Sequence, residues 1–322
     1  MISDNQIAQN LGNVLQKTDL PFLGRRYEGK VRDSYVQGDT RYLVACDRLS
    51  CFDVVVTSIP FKGQVLTGVA DYWFKKSRDI ITNHVIDLPD PNVMVVRNCE
   101  ILPVEVVLRG YLTGSAWRDY QDGKAVSGVK LPPGLKASQK LPQVLITPST
   151  KAERGQHDEP ISEAEILARG IVPKAVWEEV REAALALFKL GQEEAARRGL
   201  ILVDTKYEFG LLNGKLILAD EIHTLDSSRY WVEETYQKHF EAGTSPEMLD
   251  KEPVRQWLLA RGYKGEGAIP EFTADHRVGI ARHYIDSAAK ICGLELIPES
   301  GSVHERIERR LKAYAARAPR QA

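Results

Sequence analysis

Residues 201–221, I-L-V-D-T-K-Y-E-F-G-L-L-N-G-K-L-I-L-A-D-E, set two apolar, β-branched runs on either side of Asn213-Gly214. That pair tolerates the left-handed backbone of a tight hairpin turn, so the stretch predicts two antiparallel strands. Side chains two apart share one face of a strand. Asp204, Lys206 and Glu208 therefore project together, while Val203, Thr205 and Tyr207 point the other way. Whatever this chain folds into must house an acid, a base and an acid side by side.

The turn decides where Asp220 falls. A two-residue loop pairs Glu208 with Ala219 and sends Asp220 to the opposite face, because a one-residue slip flips every side chain. A three-residue loop, Leu212-Asn213-Gly214 with Gly214 left-handed in a bulged turn, sets Asp220 opposite Lys206. The L-N-G-K pattern suits the bulged turn, which is the expected geometry. Two carboxylates beside a lysine are what a magnesium-bound polyphosphate requires: oxygen ligands for the metal and a cation for the phosphates. The same pattern also fits a solvated strand face with cross-strand ion pairs. The apolar residues around it favour the buried reading.

Charge and cysteine usage narrow the partners. The 322 residues carry 43 basic and 44 acidic side chains with no basic block or acidic tail, which argues against nucleic acid or a membrane surface as partner. Cys46, Cys51, Cys99 and Cys292 show no C-x-x-C spacing, so a zinc site is not expected, and isolated thiols suit a reducing cytoplasm. The first twenty residues lack the pattern of a signal peptide, and no run approaches the ~20 apolar residues of a membrane span. A cytoplasmic protein is expected. Oligomeric state is left open.

Along the chain, residues 3–15 predict a short amphipathic helix, and residues 25–47 two strands around Gln37-Gly38-Asp39. Gly29 interrupts the first of these strands, with Lys30 and Arg32 following on one face. A glycine in a strand marks a bulge or the close approach of a ligand or backbone, so phosphate contact is one reading and a solvated edge strand the other. Residues 48–53 lead into a strand at 54–57, and residues 67–78 predict a helix. Strands are expected at 92–97 and 103–109, separated by a hinge at 98–103. In residues 109–118, R-G-Y-L-T-G-S-A-W-R, a glycine-rich loop feeds a helix N-terminus, where free N–H groups and the dipole favour an anion. Arg109 and Ser115 would add donors, although an ordinary helix start with a structural arginine fits equally. Residues 121–160 form a long Gly-, Pro- and Lys-rich connection whose Ser, Thr, Lys, His and Asp content suits a substrate-lining loop, with His157 a candidate base. Ser162-E-A-Glu165 is a capping box, residues 174–198 a longer helix stopped by Gly199, and helices are expected at 253–261, 275–292 and after Ser302.

No P-loop, no G-x-G-x-x-G after a strand and no G-x-S-x-G elbow is present. What remains predicts an α+β chain of two-lobed, kinase-like or ATP-grasp-like architecture. Residues 1–105 would be a strand-rich nucleotide-binding lobe, residues 106–235 an α/β lobe with the substrate and magnesium site, and residues 236–322 helices packed on that second lobe.

Several blocks are diagnostic: Gly29-K-V-R-Asp33, Asp47-R-L-S-C-F-Asp53, Pro103-V-E-V-V-L-R-G-Y-L-T-G-S-A-Trp117, Thr147-P-S-T-K-A-Glu153 with His157-Asp158, Asp204-T-K-Y-E-F-Gly210, and Asp220-Glu221 with Asp226-S-S-Arg229. Over about residues 22–231 the chain resembles the SAICAR synthetases, in their longer, yeast-like form. The resemblance implies a ligase of purine biosynthesis that uses ATP to join the carboxylate of carboxyaminoimidazole ribonucleotide (CAIR) to L-aspartate, giving SAICAR, ADP and phosphate through an acyl phosphate. It implies Glu208 and Asp220 as Mg2+ ligands, Lys30 and Lys206 on the ATP phosphates, Arg32 in support and Glu105 on the nucleotide ribose. It further implies that Arg109, Ser115 and Arg229 grip the ribonucleotide phosphate or carboxylate, and that Asp204 orients the amine or Lys206. Asp47, Arg48, Ser50, Lys151 and Asp158 would line the CAIR and aspartate pockets. The alternative is a small-molecule kinase of related fold, against which stands the absence of H-R-D and D-F-G motifs.

Overall fold

The structure is a computed structural model that describes residues 2–151 and 159–317. In chain order it begins with α1 (Asp4–Gln9), β1 (Arg26–Glu28), β2 (Arg32–Gln37), β3 (Thr40–Ala45), β4 (Arg48–Cys51), β5 (Val54–Ser58), α2 (Lys62–Lys76), β6 (Val85–Asp90) and β7 (Val93–Arg97). It continues with β8 (Glu100–Tyr111), α3 (Gly114–Gln121), β9 (Lys140–Ile146), β10 (Ser149–Thr150), α4 (Glu163–Ala168), α5 (Lys174–Ala196), β11 (Leu200–Leu212) and β12 (Lys215–Ala219). The last elements are β13 (Ser228–Val232), α6 (Glu233–Ala242), α7 (Glu252–Leu259), α8 (Ala274–Cys292) and α9 (Val303–Arg317). The α+β class expected from the sequence is the one found. The long helix and the capping boxes at Ser3 and Ser162 also follow the sequence pattern.

Contacts divide the chain into two compact units, Met1–Tyr72 with His84–Asn98 and Lys251–Ala322, and Trp73–Asn83 with Cys99–Asp250. The first unit holds an antiparallel sheet of order β1-β2-β3-β7-β6 and the separate β4-β5 ribbon. Its core joins Tyr35, Tyr42, Val44, Val93 and Val95 of the sheet to Val303, Ile307 and Leu311 of α9. These three positions, four apart along α9, form one apolar stripe. Beside it the fully buried Asp90 carboxylate accepts from Arg306 at 2.9 and 3.0 Å and from Arg310 at 3.1 Å. Helices α7, α8 and α9 thus belong to the first unit, not to the second lobe as expected from the sequence, while α6 stays with the second unit. Their amphipathic patterns announced burial but carried no information on which surface they cover.

The second unit is a six-stranded antiparallel sheet of order β10-β8-β11-β12, with β13 also paired to β11 and β9 to β8. β11 is its axis, pairing β13 through residues 200–205, β12 through 208–212 and β8 along most of its length. Helix α5 buries Val180, Ala184, Leu187, Phe188 and Gly191, and packs on β11. The β11–β12 turn corrects an expectation. Leu212 pairs with Lys215 and Glu208 with Ala219, so Asn213 and Gly214 alone form the loop, at φ of 53° and 76°. Both central residues are left-handed, the form whose twist matches the flanking strands. The bulged three-residue turn is not formed.

Candidate active site

Strand register assembles the charged residues into rows. Asp204 of β11 stands directly opposite Arg109 of β8 and Arg229 of β13, and four residues on, Glu208 stands opposite Glu105. Directly opposed residues share a face, so Glu105 and Arg109 join Asp204, Lys206 and Glu208 on one surface. In the first row Asp204 Oδ2 accepts from Arg109 Nη1 at 3.4 Å and from Arg229 Nη1. Its side chain is 7% exposed, against 11% and 19% for the two arginines. Arg109 also donates to Thr147 Oγ1 at 2.9 Å and to Ser115 Oγ at 3.0 Å. Burial works against the Arg109 charge and lowers its pKa, while Asp204 supports it.

Ser115 lies in the first turn of α3, whose N-cap Thr113 makes no side-chain capping bond. Gly114 is left-handed at φ 60°, and a Cβ there would lie 2.6 Å from Arg229 Nη2. Only glycine lets the helix start lie flush against that guanidinium. Two arginines, a serine hydroxyl and a helix N-terminus therefore converge, which suits an oxyanion such as a phosphate monoester.

In the second row Lys206 Nζ donates to Glu105 Oε1 at 2.5 Å and to Glu208 Oε1 at 3.1 Å, while Lys151 Nζ donates to Glu208 Oε2. Burial disfavours the Lys206 charge, but the carboxylates of Glu208, Glu105 and Asp220 outweigh it and raise its pKa. The ammonium is a fixed cation here, not a base. Asp220 reaches this group by a route that strand alternation does not foresee. It lies one residue past the end of β12 in a left-handed conformation, φ 62°, which breaks the alternation and brings its charge to Lys206 despite the two-residue turn.

Asp204 was expected to orient an amine or Lys206, but its partners are Arg109 and Arg229. Glu105, expected at a ribose, stands within the charged floor. Thr147, a 3% exposed partner of Arg109, had not been singled out, and its contact with a residue 38 positions away leaves no local signal in the sequence. Asp158 and His157 lie outside the described residues.

The first unit holds the other predicted residues. Lys30 Nζ bonds Asp53 Oδ1 at 2.7 Å with both side chains more than half exposed, a solvated pair that adds little stability. Arg32 opens β2, and Ser50 is buried in β4 opposite Val55. Arg48 turns inward. It donates to the carbonyls of Gly29 at 3.0 Å, Lys30 at 3.1 Å and Gln16, and to the buried Asp33 at 2.9 Å. Asp47 accepts from the N–H groups of Leu15 and Gly63 at 2.7 and 2.9 Å, and burial pushes its carboxyl up to about 6. Both residues hold backbone, and Arg48 also pairs with Asp33.

Among the described residues no three Asp, Glu, His or Cys side chains form a ready-made metal cage. Mg2+ is commonly held by one or two carboxylates together with substrate phosphates, and Glu208 and Asp220 beside Lys206 match that donor set.

This mixed α+β fold, with lysines and carboxylates interleaved beside a buried arginine pair, defines an enzyme of the kinase-like and ATP-grasp-like class. A SAICAR synthetase family model matches residues 25–270. A phosphoribosylaminoimidazole-succinocarboxamide synthase of Bacteroides fragilis is 48% identical over 311 residues, covering 94% of this chain and 99% of that protein. One from Legionella pneumophila is 45% identical over 303 residues, covering 91% and 96%. The SAICAR synthase of Saccharomyces cerevisiae, solved in complex with SAICAR, superposes with a TM-score of 0.78 at 33% identity, covering 88% of this chain and all of the other. The chain belongs to the SAICAR synthetase family.

Proposed function

We infer that this chain forms the amide between the carboxylate of CAIR and the amino group of L-aspartate, converting ATP to ADP and phosphate, in de novo purine biosynthesis. The observation that carries this reading is the pair of rows on one sheet face, Arg109–Asp204–Arg229 beside Glu105–Lys206–Glu208. The family membership fixes the reaction that such a face serves. Nothing in the chain favours a hydroxyl acceptor and a simple kinase.

The ribonucleotide and ATP each have a matching group. Arg109, Ser115 and Arg229 at the start of α3 bind the ribonucleotide phosphate, and Asp204 holds the two guanidiniums apart and aimed. Lys206 binds ATP phosphates, and Lys30 and Arg32 are assigned to ATP by the family resemblance alone. Glu208 and Asp220 would hold Mg2+, which when bound supplies charge neutralisation at the phosphoryl oxygens. Lys151, already on Glu208, remains close to that carboxylate as a further cation. Arg48 acts on the nucleotide through the backbone of Gly29 and Lys30.

A carboxylate is a poor electrophile, so its oxygen first attacks the γ-phosphorus and ADP departs, leaving an acyl phosphate. The aspartate nitrogen then attacks the acyl carbon, phosphate leaves with the electron pair of the broken C–O bond, and the nitrogen sheds a proton. The raised pKa of Lys206 keeps it charged throughout, so it stabilises phosphate oxygens and takes no proton. Four cysteines without C-x-x-C spacing suit a reducing compartment, and we place the enzyme in the cytoplasm. Measuring ADP release with CAIR and aspartate added singly and together tests the reaction. Full release must require both. Release that needs neither would overturn the ligase reading.

A further inference from the structure

The back of the charged floor carries a second polar line that the reaction does not use. Thr205 and Tyr207 alternate with Lys206 on β11 and point into the interior, 1% and 0% exposed. Thr205 Oγ1 lies 2.7 Å from Ser228 Oγ, and Tyr207 Oη lies 2.5 Å from Nε2 of the fully buried His223. The line therefore holds two bonded pairs, Ser228–Thr205 and Tyr207–His223. Its ends are informative. Ser228 precedes Arg229, and His223 closes the turn that begins at Asp220.

That turn needs an anchor. Asp220 and His223 are both left-handed without being glycine, at φ of 62° and 51°. Such conformations persist only where the surroundings over-determine them, and they concentrate at functional sites. His223 is fixed from every side. Gly191 of α5 lies so close that a Cβ would stand 2.3 Å from the imidazole Cε1, the Trp73 ring meets it edge-on with centroids 4.6 Å apart, and its carbonyl accepts from Tyr230 Oη at 2.9 Å. Its Nδ1 is buried and finds no partner among the described residues, so the hydrogen bond to Tyr207 is the one directional polar contact that sets the ring.

We propose that the buried Tyr207–His223 pair is a positioning layer that holds the left-handed Asp220–His223 turn and so sets the Asp220 carboxylate against Lys206 and Glu208. This rests on the reading of Asp220 as part of the nucleotide and metal site. Tyr207 touches no substrate, so it is a positioning residue.

Tyr207→Phe keeps the ring and removes the hydroxyl, and with it the bond to His223. Amide exchange at residues 221–224 should rise about tenfold or more, and Mg-ADP affinity measured by calorimetry should fall roughly 10- to 100-fold, the range typical of lost outer-shell support. Asp220→Asn should weaken Mg-ADP by a similar factor, and adding Tyr207→Phe to it should change affinity less than about twofold, since the one acts through the other. Independent, multiplying losses would overturn the proposal, as would unaltered exchange at 221–224 in a variant whose melting temperature alone has dropped. If Tyr207→Phe fails to fold, His223→Asn, a side chain that tolerates the left-handed backbone but is too short to reach Tyr207, removes the same bond from its other end and is judged by the same two readouts. Should Asp220→Asn alone leave Mg-ADP affinity untouched, the assignment of Asp220 to the nucleotide site falls, and the exchange data still decide whether the layer holds the turn.

Discussion

Replacing Asp204 with asparagine separates the two things that residue does. Its carboxylate is 7% exposed and lies between two guanidiniums that are 11% and 19% exposed. Asparagine keeps the shape and one acceptor but removes the charge, leaving two cations facing each other in a partly dry site. Removing one partner from a buried ion pair typically costs 3–5 kcal/mol. The partial exposure of Arg229 puts this case near the lower end, about 3 kcal/mol. For a unit of this size each kcal/mol moves the melting temperature by roughly 2–4 °C, so a fall of about 6–12 °C is expected. Ligand binding should respond the other way. The freed guanidiniums no longer share their charge with an internal anion, so CAIR or inorganic phosphate should bind at least as tightly as to wild type and should restore part of the lost stability. Thermal unfolding followed by circular dichroism, with and without CAIR, reads both effects. A melting temperature within a degree of wild type, or a stability loss that CAIR does not reduce, would refute the coupling of Asp204 to the anion site.

Glu208→Gln should lower kcat by roughly a hundredfold or more while leaving the far-ultraviolet spectrum unaltered, because a preorganised charge at the reacting phosphates is lost; unchanged turnover in steady-state kinetics would sink the assignment. Arg109→Ala should chiefly raise KM for CAIR, as a phosphate grip is ground-state binding, and a rise confined to KM for ATP would relocate the residue. His223 is fully buried and its pKa is lowered to about 3 by desolvation, so the unfolded chain binds a proton below pH 6.5 that the native one does not. The contribution of His223 to stability is therefore complete above pH 6.5 and falls by about 1.4 kcal/mol for each pH unit below it, down to about pH 3. The difference in stability between wild type and His223→Gln, from denaturant titrations across pH 7 to 4, should carry this slope, and a difference that does not change with pH would refute it.

Local rules reached a good part of this molecule. Alternation put Asp204, Lys206 and Glu208 on one face, and Asn213-Gly214 marked the hairpin; both are properties of a few adjacent residues. The same alternation applied to Pro103-V-E-V-V-L-Arg109 puts Glu105 and Arg109 on one face, but only the register of β8 on β11, across about a hundred residues, brings them to Glu208 and Asp204. The bulged turn was a reasonable choice from L-N-G-K and was wrong, because the expectation assumed that Asp220 had to remain in a strand to reach Lys206. A single left-handed residue past the strand end achieves it instead. Arg48 and Asp47 carried family signal as site residues, yet their contacts are with Gly29, Lys30, Leu15 and Gly63 backbone. A motif preserves a residue equally well whether it touches a ligand or holds the loop that does.

The interleaving of signs on the floor has one more consequence. Arg109, Asp204 and Arg229, and Lys151, Glu208, Lys206 and Glu105, each alternate cation and anion, so the ligand-free site is already a closed internal salt. Substrate binding is then ion exchange: an incoming phosphate displaces a carboxylate from a guanidinium or ammonium, and the number of paired charges hardly changes. Affinity in such a site is the difference between two pairings. Added salt screens both of them alike, so KM for CAIR and ATP should drift only slightly with ionic strength, unlike that of an open basic pocket. The enzyme would thus discriminate between anions by geometry, not by charge.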